Sequence, residues 1–172
     1  MHEVHLSHRP ISVMTAVNFG DLKISQNPAE TLVAFSIGSG MVVSIHDPVL
    51  KAGGVLNFVL PDSMTMLPEK AERYPYMFAD TGLPVLLEAL LDIGTKTENV
   101  KVVIAGGAQV MDQNGGFNIG LKNHRAAAAF FMDKNMSIDH QDIGGISRRT
   151  LRLDIGSGYN IIQTLGQAEV QV

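Results

Sequence analysis

The stretch TLVAFSIGSGMVVSIHDPVLKAGGVLNFV, Thr31 to Val59, decides the fold. Three runs rich in Val, Ile and Phe, Thr31 to Ile37, Met41 to His46 and Val55 to Val59, read as short strands, and Asp47-Pro48 and Gly53-Gly54 are turn or breaker pairs between them. Ile11 to Asn18 extends the pattern upstream, with Asn27-Pro28 as a further breaker. Such unbroken apolar runs predict strands buried on both faces.

Downstream of this block the pattern changes. Pro61 to Tyr76 has three prolines, mixed charges and no sustained period, which predicts a surface loop bordering a site. A helix is predicted from Asp80 or Thr81, either of which could cap it, with Pro84 in its first turn and Gly94 at its end. Leu83, Leu86, Leu87, Leu90 and Leu91 form one apolar stripe on it and are read as core. Val100 to Ala105 reads as a buried strand closed by Gly106-Gly107, and the alanines and phenylalanines of Lys122 to Lys134 predict a second helix. Strands return at Ile138 to Asp142, Thr150 to Ile155 and Tyr159 to Leu165, separated by Gly144-Gly145 and Gly156-Ser157-Gly158. The order gives an α+β domain with more strand than helix, without repeats or a linker.

Composition narrows the function. A chain of 172 residues with 45% hydrophobic content suffices for one domain and its core. Charged residues make up 17%, the net charge is −4, and no Lys/Arg block occurs, so nucleic acid is not an expected partner. No apolar run approaches the roughly 20 residues that span a bilayer, and Met1-His2-Glu3-Val4-His5 lacks the order of a signal peptide, so the expectation is a cytoplasmic protein that does not insert into membrane. The chain has no cysteine, which removes disulfides, thiolate metal sites and thiol nucleophiles together.

Individual motifs favour plain readings. Ala105-Gly106-Gly107-Ala108 follows a strand but lacks the G-x-G-x-x-G spacing of a nucleotide loop. Ser36-Ile37-Gly38-Ser39-Gly40 lacks the flanking glycines of a nucleophile elbow. Ser44 and His46 share a face of a predicted strand and Asp47 follows, yet Asp47-Pro48 is better read as a turn than as the third member of a triad. His2, His5 and His8 could ligate a metal on a helix, but Pro10 and the terminal position favour a tail. Arg148, Arg149 and Arg152 read as a solvated edge, with an acidic partner as the alternative.

An ordered set of motifs from about Asn18 to Leu165 resembles the CheD family of chemoreceptor glutamine deamidases. It runs through Phe19-Gly20-Asp21-Leu22-Lys23, Gly38-Ser39, His46-Asp47-Pro48, Leu60-Pro61-Asp62-Ser63 and Phe78-Ala79-Asp80-Thr81. Ile104 to Ala108, Asn118-Ile119-Gly120 with Asn123, and Asp142-Ile143-Gly144-Gly145 before Arg148 and Arg149 complete it. The resemblance implies a layered sandwich of mixed β-sheets flanked by helices, similar to the catalytic domain of deamidating toxins. It divides the chain into an extension and first strand (1–17), the CheD-like domain (18–165) and a tail (166–172), and it implies neither cofactor nor metal.

The resemblance also implies a catalytic cysteine, histidine and threonine, and these positions fall here on Gly40, Asn57 and Ala34. Amide hydrolysis needs a nucleophile, a base and oxyanion donors. Glycine cannot attack, an asparagine amide is not basic near neutral pH, and alanine offers no hydrogen bond. The leading expectation is therefore an inactive binding module for chemoreceptor cytoplasmic helices or a CheC-type phosphatase, using Ser39, Met41, Arg148 and Arg149 together with the loop from Pro61 to Tyr76. The alternatives are an active deamidase that relies on Ser39, Ser44 or His46 as substitutes, and a domain recruited to unrelated regulation.

Overall fold

The computed structural model describes residues 12–109 and 117–172. Two mixed five-stranded sheets form its centre. The strands are β1 (Val13–Ala16), β2 (Asp21–Ser25), β3 (Glu30–Ile37), β4 (Met41–Asp47), β5 (Ala52–Phe58), β6 (Lys101–Gly106), β7 (His140–Ile143), β8 (Arg149–Asp154), β9 (Asn160–Thr164) and β10 (Val170–Gln171). One sheet has the order β1-β3-β8-β9-β10 and the other β2-β5-β4-β6-β7. β1 runs parallel to β3 and β6 parallel to β7, and the remaining pairs are antiparallel.

Alternation along the strands builds two apolar layers. Met41, Val43 and Ile45 of β4, Leu56 and Phe58 of β5, and Val102 and Ile104 of β6 face the helices α2 (Ala79–Asp92) and α3 (Ile119–Asp133), where they meet Leu83, Leu86, Leu90 and Phe131. The intervening Val42, Val55, Val103 and Ala105 face the other sheet and meet Leu32, Ala34, Leu151 and Leu153. The second sheet is thus covered on both sides, as its continuous apolar runs predict. The layered α+β sandwich stands, with both long helices on one side of it.

Two expectations change. Pro61 to Tyr76 is not a plain loop: it holds a 3₁₀ turn at Ser63–Thr65, the short helix α1 (Pro68–Arg73) and the start of a second 3₁₀ turn, Pro75–Met77. None of these buries a residue, so no hydrophobic period marked them. The following helix starts earlier than its side-chain signals suggest. Ala79 N–H bonds to the Leu60 carbonyl at 2.9 Å and Phe78 is fully buried, which sets the start, and Pro84 lies inside the helix and not in its first turn. The Asp80 carboxylate serves Ser63 instead, accepting from its N–H at 3.0 Å and its Oγ at 2.7 Å, and Thr81 Oγ1 donates to the Pro75 carbonyl.

β3 belongs to one sheet and β4 to the other, so Gly38-Ser39-Gly40 carries the chain across the sandwich. A bulge between Ala34 and Ile37 loosens the end of β3, and Ser36 there adopts a left-handed φ of 56°. The candidate site lies at this corner. Among the described residues no helix is long and apolar enough to cross a membrane.

Candidate functional site

The crossover turn is held from three directions. Gly107 N–H donates to the Gly40 carbonyl at 2.7 Å, and Ala108 N–H donates to the Gly38 carbonyl at 2.9 Å. From α3, the buried Asn123 side chain donates through Nδ2 to the Ser39 carbonyl at 2.9 Å and to the Val59 carbonyl at 2.8 Å. Asn123 can reach because α3 begins hard against β6: a Cβ at Gly120 would overlap the Gly107 carbonyl oxygen, so only glycine permits this approach.

The strand register brings two of the three sequence-predicted positions together. Met41 opposes Phe58 and Asn57 opposes Val42, so Gly40 and Asn57 are diagonal neighbours on adjoining strands, a relation of about 7–8 Å between Cα atoms. A nucleophile and a base at these places would be close enough to cooperate after small side-chain adjustments. Gly40 supplies neither, and Asn57 is 1% exposed with Nδ2 donating to the Val17 carbonyl at 3.1 Å. Ala34 is buried across the sandwich, where β3 pairs it with Leu151.

Asn57 has a structural task in this arrangement. Besides holding Val17, it accepts at its main-chain carbonyl the Gly20 N–H at 2.7 Å. These bonds fix the loop that presents Phe19, which is 58% exposed, to the mouth of a cavity of about 500 Å³. Phe19, Val59 and Met77 form its apolar wall, the turn Gly38 to Gly40 forms its floor, and Ser36 and Arg148 stand at its edge. Arg148 Nη1 donates to Ser36 Oγ at 3.4 Å. A smaller hollow of about 340 Å³ continues past Ser36 and Arg148 along Thr150 and Gln163.

The candidate substitutes and contact residues separate. Ser39 lines the cavity. Ser44 and His46 do share a face, but both are 1% exposed and lie in the sandwich interior, with His46 Nε2 2.9 Å from the Ile155 carbonyl. The Asp47 carboxylate turns away from them to accept the Val49 and Leu50 N–H groups at 2.9 and 3.1 Å, the turn expected of Asp47-Pro48. No triad forms.

Met41 is fully buried beneath the helices, because the strand alternation that puts Val42 between the sheets turns Met41 the other way; it cannot touch a partner. Arg149 is 6% exposed, bonded through Nε to Asp142 Oδ1 at 2.8 Å and through Nη1 to the carbonyls of Gly144 and Ser147. It is a structural clamp. Arg152 pairs with Glu169, so the expected basic edge reduces to Arg148. The cavity touches the Pro61 to Tyr76 region only through Met77, which follows it. His2, His5 and His8 lie outside the described residues.

Sequence reasoning missed the parts played by Phe19, Ser36, Met77 and Asn123. An aromatic residue beside a turn glycine, Phe19-Gly20, and the motif position of Asn123 were the available signals. The other two depend on the crossover between sheets, which no local pattern encodes.

The family model for CheD chemotactic sensory transduction matches residues 59–164. That span starts after Ala34, Gly40 and Asn57. Curated relatives match more of the chain. A "probable chemoreceptor glutamine deamidase CheD 1" of Syntrophus aciditrophicus is 38% identical over 87% of this chain and 93% of its own length. A "probable chemoreceptor glutamine deamidase CheD" of Solibacter usitatus is 36% identical over 88% of this chain and 89% of its own length. The "chemoreceptor glutamine deamidase CheD" of Thermotoga maritima is 31% identical over 89% of this chain and 93% of its own length.

Proposed function

The chain belongs to the CheD family, and on that premise we propose that it is a chemotaxis binding module that keeps the family fold without deamidating its partner. The observation that carries this reading is the corner where Gly40 and Asn57 meet. The register makes these two positions neighbours, yet one has no side chain and the other spends its amide on the Val17 carbonyl. Oxyanion donors alone leave only a small residue of a hydrolase's rate.

The substitutes do not repair the loss. Ser44 and His46 are sealed inside the sandwich, and Ser39 lines a cavity in which no histidine or carboxylate stands among the described residues to take its proton. What remains is the cavity, its apolar wall and Arg148, which suit recognition of a protein segment. The relatives' names supply the partner class, chemoreceptors, and the family resemblance suggests their cytoplasmic helices. A CheC-type phosphatase is the other partner that the family resemblance suggests, and a cytoplasmic setting follows from either.

The test is incubation of the purified chain with receptor fragments beside an intact relative, read by peptide mass spectrometry, with calorimetry on the same fragments. The expected result is binding with glutamine unchanged. Specific conversion of glutamine to glutamate above a no-protein control would establish the alternative, an active deamidase, and point to Ser39.

A further inference from the structure

The cavity at the sheet crossover has an unusual balance of hydrogen-bonding groups. Six of the eight main-chain carbonyls of its described lining residues are already engaged, that of Arg148 by the Leu165 N–H. Gly38, Ser39 and Gly40 accept from Ala108 N–H, Asn123 Nδ2 and Gly107 N–H, Val59 accepts from Asn123, and Met77 accepts from the N–H groups of both Val59 and Leu60. Among the described residues no carboxylate lines this cavity or the hollow beside it. The ionised group present is the guanidinium of Arg148, which is exposed, has no carboxylate partner among the described residues, and is directed by its bond to Ser36 Oγ.

Ser36 holds that position at a backbone cost. Its φ of 56° is unfavourable for a residue with a Cβ, and it sits at the bulge that ends β3. Strained residues persist where their surroundings impose them, frequently at ligand clamps.

A site of this kind distinguishes two side chains of nearly the same shape. A carboxamide brings two N–H donors that need acceptors, whereas a carboxylate only accepts, and a guanidinium only donates. With most of the carbonyls engaged and Arg148 at the rim, the better match is to the carboxylate.

We infer that this cavity holds a glutamate, in preference to a glutamine, of its protein partner, with the carboxylate on Arg148 and a neighbouring apolar side chain against Phe19 and Met77. The inference rests on the reading of the chain as a binding module, and it specifies which form of the partner is bound. Glutamate is what deamidation leaves, so the protein engages receptor segments after an active deamidase has acted on them. It is a reader of the modified state.

The experiment uses the full chain and two helical receptor peptides identical except for Glu or Gln at one position, compared by calorimetry at low and high salt. The Glu peptide should bind about twofold to fivefold more tightly at low salt, as expected of an exposed ion pair. The preference should shrink at high salt, vanish in Arg148→Gln and survive in part in Arg148→Lys. Because Arg148 is exposed, both variants should fold, which circular dichroism verifies. Equal binding, or tighter binding of the Gln peptide, overturns the inference and leaves the binding-module reading in place. A preference undiminished in Arg148→Gln overturns the role given to Arg148. Failure of both peptides to bind a folded sample counts against both readings.

Discussion

A Cβ added at Gly40 would lie 2.9 Å from the Phe58 carbonyl oxygen, closer than real side chains approach, although the Gly40 backbone is not in the left-handed region. Placing a thiol there therefore requires a shift of β5 relative to the turn. Gly40→Cys should lower stability by about 1–3 kcal/mol, the usual cost of overpacking, measured by urea denaturation. It should show no deamidation by itself, since a thiol without a base reacts mainly through its small thiolate fraction near neutral pH. Gly40→Cys with Asn57→His and Ala34→Thr should deamidate detectably, read by mass spectrometry, because the groups act as a unit. Activity from Gly40→Cys alone would contradict this account. Asn57→His in turn surrenders the bond to the Val17 carbonyl, so the Phe19 loop should loosen as the base is regained. Ala34, Gly40 and Asn57, at the positions that the family resemblance points to, were legible in the sequence as residue identities. The anchoring role of Asn57 was not, because Val17 lies 40 residues away in the chain.

Between elements, the link that matters most for the site is the one from α3 to the crossover turn. Asn123 replaces two backbone donors by the two hydrogens of one amide, joining the turn after β3 to the end of β5. Asn123→Ala leaves the Ser39 and Val59 carbonyls without that donor and should cost about 2 kcal/mol, from two hydrogen bonds of about 1 kcal/mol each. Hydrogen exchange at residues 38–41 should accelerate more than in the centre of β4, and a uniform change across β4 would argue against a local clamp. The helix itself was predicted from its alanines and phenylalanines, but its start at Ile119 was not. Its first turn is set by the contact of Gly120 with Gly107, a tertiary constraint without a capping signal. The short helix Pro68–Arg73 shows the converse case, an element that buries nothing and so leaves no period to read.

Across the whole molecule, β4, β5 and β6 contribute alternate residues to both apolar layers, so neither layer can come apart while the other keeps its shape. Leu86→Ala beneath the helices and Leu32→Ala between the sheets should each cost about 2–5 kcal/mol as cavity-forming changes. Both should shift one common unfolding transition, followed by far-UV circular dichroism and tyrosine fluorescence together. Separate transitions for the two probes would show that the layers unfold independently. The sequence by itself determined the strand-rich α+β class, most strand positions and the family, because periodicity, turn residues and motif identity are local properties. Only the tertiary structure decided that Gly40 and Asn57 adjoin, that Met41 and Arg149 are buried and that Arg148 is exposed. It alone showed that Phe19, Ser36 and Met77 surround one cavity. Each of these depends on which sheet a strand joins and in which register it pairs, and long-range pairing is set by the packing of the whole chain.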